Sequence, residues 1–157
     1  MEIDHLYPYG FRATLFDRLI TANEQGKGLS IQQLRESIAN DLEDLLNSRV
    51  AKINRPLDDL SFVKHSIIQF GIIDFVGLST ANPLDRDKIC QSIEQSITAQ
   101  EPRLRQIKVE MLVDNDNKGA LCLSIHAFLN IHPLYEPIVF DALLKPTTQQ
   151  YVISARS

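Results

Sequence analysis

The sequence predicts an α+β domain in which N-terminal helices pack on one face of a C-terminal, mainly antiparallel sheet of about three to four strands. Apolar residues recur every three or four positions as far as Ile97, then every second position from Ile107 onward. Pro102 stands where the period changes, and a proline disfavours helical geometry at the residue before it. The turn-forming stretch "DNDNKG" then separates two alternating runs, which predicts a hairpin.

Each element follows in order. The opening "MEIDHLYPYG" reads as an irregular arm. In "FRATLFDRLITAN", Phe11, Leu15 and Leu19 fall at helical spacing beside Phe16 and Ile20, so a short amphipathic helix precedes the loop "NEQGKG". Ser30 and Gln33 form a capping-box pattern. From there Ile31, Leu34, Ile38, Leu42, Leu45 and Leu46 mark a helix running to about Arg49, with the leucines inward. Its other face, with Arg35, Glu36, Asp41, Glu43, Asp44 and Asn47, reads as solvated. A turn-rich connection carries Arg49, Lys52 and Arg55.

"SFVKHSIIQFG" predicts a short helix stopped at Gly71. Asn82 can cap the next helix, Pro83 suits its first position, and Leu84, Ile89, Ile93 and Ile97 give it one apolar stripe. Ile107, Val109, Met111 and Val113 form the first strand's apolar face, and Leu121, Leu123, Ile125, Ala127 and Leu129 the second's. "PIVFDALLK" and "QQYVIS" extend the sheet. Ala120, Cys122, Phe128, Val139 and Leu143 make its second face too apolar to be simply wet, so a helix, the arm or a partner is expected over part of it.

Composition narrows the function. A chain of 157 residues that is 44% hydrophobic and 23% charged suits one folded domain over residues 1–157, with 1–28 as a mobile arm and short helix. The net charge of −4 offers no general attraction to nucleic acid or to anionic membranes. Apolar runs are too short for direct membrane insertion, and the acidic start lacks a secretory pattern, so a cytoplasmic location is expected. Cys90 and Cys122 read as free, buried thiols. The histidines His5, His65, His126 and His132 lack metal-ligand spacing, no Gly-rich phosphate loop follows a strand, and no cofactor or metal site is predicted.

The helix-to-strand corner carries the unusual charges. In extended chain, residues two apart point the same way. Glu101, Arg103 and Arg105 therefore share the parity of Ile107, Val109 and Met111, at the margin of the core-facing side. Charges there need counter-charges, because desolvation costs several kcal/mol per ion. An internal ion pair with Glu43 or Asp44 would supply them, and so would a partner protein. A glycosidase would need Glu101 and a second carboxylate such as Asp114, Asp116 or Asp141, with one pKa raised. Arginines two and four residues away disfavour that role for Glu101. No catalytic residue is predicted.

"LFDRL" at 15–19, "DLEDLLNSR" at 41–49, "SIIQFGIIDF" at 66–75 and "EPRL" at 101–104 occur in the order and spacing of the TssE family. The chain resembles that type VI secretion baseplate component, which is related to the contractile-phage baseplate wedge protein and is often labelled lysozyme-like. The sequence departs from the family where Ser48, Phe70 and Ile73 replace a frequent threonine, tyrosine and nearby proline. The resemblance implies a structural adaptor with no enzymatic activity, joining a wedge of TssF, TssG and TssK to a sheath of TssB and TssC. It implies work at the cytoplasmic face of the inner membrane when assembled. It also makes Glu101, Pro102 and Arg103 the family hallmark, a partner-binding corner to which Arg105, Asn47 and Arg49 are added as neighbouring polar candidates. The alternative is a peptidoglycan-cleaving, lysozyme-like glycosidase.

Overall fold

A computed structural model describes residues 11, 15–20, 28–51, 66–75, 78–79, 81–112, 121–131, 134–145, 148 and 150–156. Expectations for His5, His65, His132, Lys52, Arg55 and most of the arm fall outside these residues. Helices α1 (Leu15–Ile20), α2 (Ile31–Asn47) and α3 (Pro83–Gln100) precede strands β1 (Leu104–Leu112), β2 (Leu121–Ile131), β3 (Leu134–Lys145) and β4 (Gln150–Arg156). The strands form one antiparallel sheet in the order β1-β2-β3-β4. This is the α+β class that the change of period predicts, and the strand order makes it a meander.

Both long helices begin as their sequences dictate. Ser30 accepts from the Gln33 N–H while the Gln33 side chain accepts from the Ser30 N–H, which completes the capping box. Asn82 accepts from the Leu84 N–H, and Pro83 opens α3. Leu34, Ile38, Leu42, Leu45 and Leu46 of α2 and Ile89, Ile93 and Ile97 of α3 are buried against Leu123, Ile125, Leu129 and Phe140 of the sheet. Burying each such side chain contributes about 1.5–3 kcal/mol.

Several details differ from the sequence reading. Leu84 and the α1 residues Leu15 and Leu19 are exposed, so they do not extend the apolar stripes; Phe11 is buried through paired main-chain bonds with Leu29. Where a helix is expected before Gly71, the described residues show only a 3₁₀ turn, Ile67–Gln69. Gly71 then has φ +118° and lies against the Ser48 main chain, where a Cβ would come within 2.7 Å of the Ser48 carbonyl. Only glycine fits that approach. It lets Ile72 bond to Ser48 and Val50, tying this loop to the end of α2.

Pro137 lies in β3, an inner strand, where a proline would normally break the ladder. It is tolerated because β4 pairs only with residues from Val139 to Lys145, so β3 runs past it at Pro137. On the outer sheet face, Leu112, Cys122, Leu143 and Val152 form one cross-strand apolar row. Phe128 stacks on Tyr135 farther along, with ring centroids 5.0 Å apart. Cys90 and Cys122 are free and half-buried.

Candidate functional site

The corner is built by the end of α3 and the start of β1. Glu101 closes α3, its N–H bonding Ile97, and Pro102 turns the chain into the strand. Glu101 is only 5% exposed. Its carboxylate accepts from Arg103 Nε at 2.7 Å and from the Arg103 N–H at 3.1 Å, and it also pairs with Arg103 Nη2. The same guanidinium reaches Asp41 on α2. Burial works against the charged guanidinium, but hydrogen bonds and charge from Glu101, then from Asp41, outweigh it and hold the Arg103 pKa above its ordinary value. The counter-charge is therefore Asp41, where the sequence reading nominates Glu43 or Asp44. Proline between acid and base fixes the turn so that one side chain folds back on the other, and Asp41 ties both to α2.

Arg105 lies elsewhere. The pairing of β1 with β2 shifts between Arg105 and Lys108, and Gln106 takes φ +50°. This β-bulge inserts one residue, so strict alternation fails. Leu104 is buried opposite Leu129, while Arg105 is exposed on the outer face opposite Phe128. Its expected parity with Ile107 and Val109 is overturned by that insertion.

The polar face of α2 is not simply solvated either. Asn47 accepts from the Tyr151 N–H at 2.8 Å and donates to the Tyr151 carbonyl at 3.0 Å. Glu43 accepts from the Ile153 N–H at 2.9 Å. Residues four apart on a helix rise about 6 Å, close to the roughly 6.8 Å between alternate residues of a strand. The α2 side chains can therefore take the place of a neighbouring strand along β4. Helix α3 does the same on the opposite edge: Glu94 accepts from the Val109 N–H at 2.8 Å, and Cys90, one turn earlier, lies near the Met111 main chain. Burial, then the Glu94 charge, still push the Cys90 thiol up.

The series breaks at the end of β4. One turn before Glu43 stands Ala39, and two residues beyond Ile153 stands Ala155, so no polar side chain of α2 meets the next outward main-chain group. A cavity of about 490 Å³ opens there, lined by Arg35, Ala39, Ala155 and neighbours, and Arg35 also bridges to Glu136 at 2.7 Å. A second cavity, of about 350 Å³, lies at the corner and includes Asp41, Asp44, Phe70, Glu101, Pro102 and Arg103.

A family model for baseplate wedge protein gp25 matches residues 32–134, about two-thirds of the chain. The chain belongs to the gp25 baseplate wedge family. No curated protein matches it. Membership carries a structural role in a baseplate, exercised by contact with other baseplate components. The matched region contains α2, the corner and the first hairpin, and it stops at the start of β3. None of the helices among the described residues is long and apolar enough to cross a membrane, and no cluster of His, Cys, Asp and Glu among them could hold a metal ion.

Of the sequence-nominated residues, Glu101, Pro102 and Arg103 share the corner cavity. Asn47 is spent on Tyr151, and Arg49 donates to the Leu46 and Ser48 carbonyls while remaining exposed. Sequence reasoning left Asp41 on a solvated face, offered Glu43 to the corner and not to the β4 edge, and missed Glu94. The four-residue spacing of Glu43 with Asn47, repeated by Cys90 with Glu94, is the signal that could have found the edge caps.

Proposed function

We propose that this gp25-family chain is the TssE-type adaptor of a type VI secretion baseplate, a single-domain part that breaks no bond. It joins the wedge of TssF, TssG and TssK to the first ring of the TssB–TssC sheath at the cytoplasmic face of the inner membrane. The supporting observation is the break in the helix cap along β4: Tyr151 and Ile153 are met by α2, and Ala155 is not. A sheath segment adding as a strand there would gain main-chain hydrogen bonds that the domain leaves unmade.

In this reading the Glu101–Pro102–Arg103 corner locks α2 to the start of the sheet and shapes the wedge-facing cavity. Exposed Arg49 and Arg105 help set docking register by charge, which contributes specificity more than affinity. Asn47 positions β4 for docking. Hydrolysis fits the corner poorly, since Glu101 is buried and both of its carboxylate oxygens are engaged by Arg103, away from any substrate.

Co-purification from cells expressing the other baseplate and sheath proteins tests the proposal. The wild-type chain should carry the wedge and recruit sheath, and Ala155→Pro should keep the wedge while losing the sheath. Release of muropeptides from purified cell wall, abolished by Glu101→Gln in a folded protein, would replace this reading with glycoside hydrolysis.

A further inference from the structure

The outer face of the sheet is covered by neither α2 nor α3. Alternate residues of a strand point to opposite faces. Leu123, Ile125, Ala127 and Leu129 join the helical core, so Cys122, Ser124 and His126 of β2 turn away from it. Cross-strand pairing sorts the outward residues into rows. Leu112, Cys122, Leu143 and Val152 make one apolar row across all four strands, with Leu112, Leu143 and Val152 exposed by 45%, 39% and 37%. On one side of it lie Lys145 and Gln150, and on the other Asp141 and Ser154. Beyond these a further row runs from Lys108 on β1 to Arg156 on β4. Lys145 is exposed and forms no ion pair among the described residues, whereas Asp141 holds Arg156 through two hydrogen bonds of 2.7 and 2.8 Å.

We infer that this face receives a second copy of the chain, packed sheet on sheet about a two-fold axis that runs along the apolar row. Such an axis sets each residue of the row against itself in the other copy and exchanges the two flanking rows. Lys145 of one copy then comes opposite Asp141 of the other, twice, and Gln150 comes opposite Ser154. A carboxylate oxygen can accept more than one hydrogen bond, so Asp141 can hold the incoming ammonium beside Arg156. The other in-plane axis, parallel to the strands, would bring Lys108 of one copy against Arg156 of the other, and like charges oppose it. The patch is small. Four strands about 4.8 Å apart and three rows about 6.8 Å apart give about 400 Å² per copy, about half of what a standard stable interface buries on each side. The pair is therefore a reversible, concentration-dependent dimer. It uses none of the β4 edge, so it is independent of the adaptor reading.

Sedimentation of the full-length chain from about 10 µM to about 1 mM tests the dimer, with amide chemical shifts read over the same range. The average mass should rise toward that of two chains, with shifts concentrated at residues 112, 122, 143, 145 and 152. Leu143→Glu should weaken association about tenfold or more, since it places a charge in the apolar row. Lys145→Glu should weaken it about threefold or more through the two exposed pairs, and Lys145→Arg should retain it. Lys145 is exposed, so its variants keep the test decisive should Leu143→Glu not fold. Ala155→Pro should leave association unchanged, because it alters only the β4 edge. A chain that stays monomeric over the whole range, association lost in Ala155→Pro but kept in Leu143→Glu, or association unaffected by Lys145→Glu would each overturn the inference.

Discussion

The Glu101–Pro102–Arg103 corner and the outer edge of β4 are built in opposite ways. At the corner the chain spends its charges on itself, with Glu101 and Asp41 converging on one guanidinium. Along β4 it supplies caps for Tyr151 and Ile153 and then stops, where Ala39 replaces a polar side chain. The motif and the proposed docking edge are therefore different parts of this molecule. The motif fixes how α2 meets the sheet, and the uncapped end of the edge is what the fold leaves available. Substitutions at the corner should strike stability first, whereas substitutions at the end of β4 should strike binding first.

The largest effect expected is from Arg103→Ala, which leaves the buried Glu101 without its cation. Removing one partner of a buried pair costs about 3–5 kcal/mol, and thermal melting should fall by on the order of 10 °C. Unchanged melting would erase the contrast between corner and edge. Gly71→Ala comes next, at about 2 kcal/mol by denaturant titration, because the side chain meets Ser48 and the backbone resists φ +118°. Glu43→Ala and Asn47→Ala should each cost about 1–2 kcal/mol through main-chain groups left unpaired on β4. They should also raise self-association in sedimentation, since they lengthen the open edge. Ala155→Pro should change stability least, by under about 1 kcal/mol, because a proline is tolerated where the N–H points away from the ladder.

Much of this architecture is legible in the sequence. The capping box and leucine spacing define α2, Asn82–Pro83 starts α3, and the switch to alternation after Pro102 announces the hairpin. The corner's self-pairing was one of the readings available from residue type alone. Its counter-ion was not, because Asp41, Glu43 and Asp44 lie within one turn and only the rotation of α2 against the sheet decides which one meets Arg103. The bulge at Gln106 was equally hidden: one added residue leaves Ile107, Val109 and Met111 alternating while it reverses everything before them. The edge caps look like an ordinary solvated face, since Glu43 and Asn47 become distinctive only when β4 runs beside them at matching spacing.

Amide hydrogen exchange along β4 tests the central claim most directly. In the isolated chain, Tyr151 and Ile153 should be protected by their α2 caps while Ala155 exchanges quickly, and addition of sheath subunits should slow Ala155 selectively. Protection of Ala155 in the isolated chain, or its continued fast exchange in a sheath-bound complex, would contradict the account.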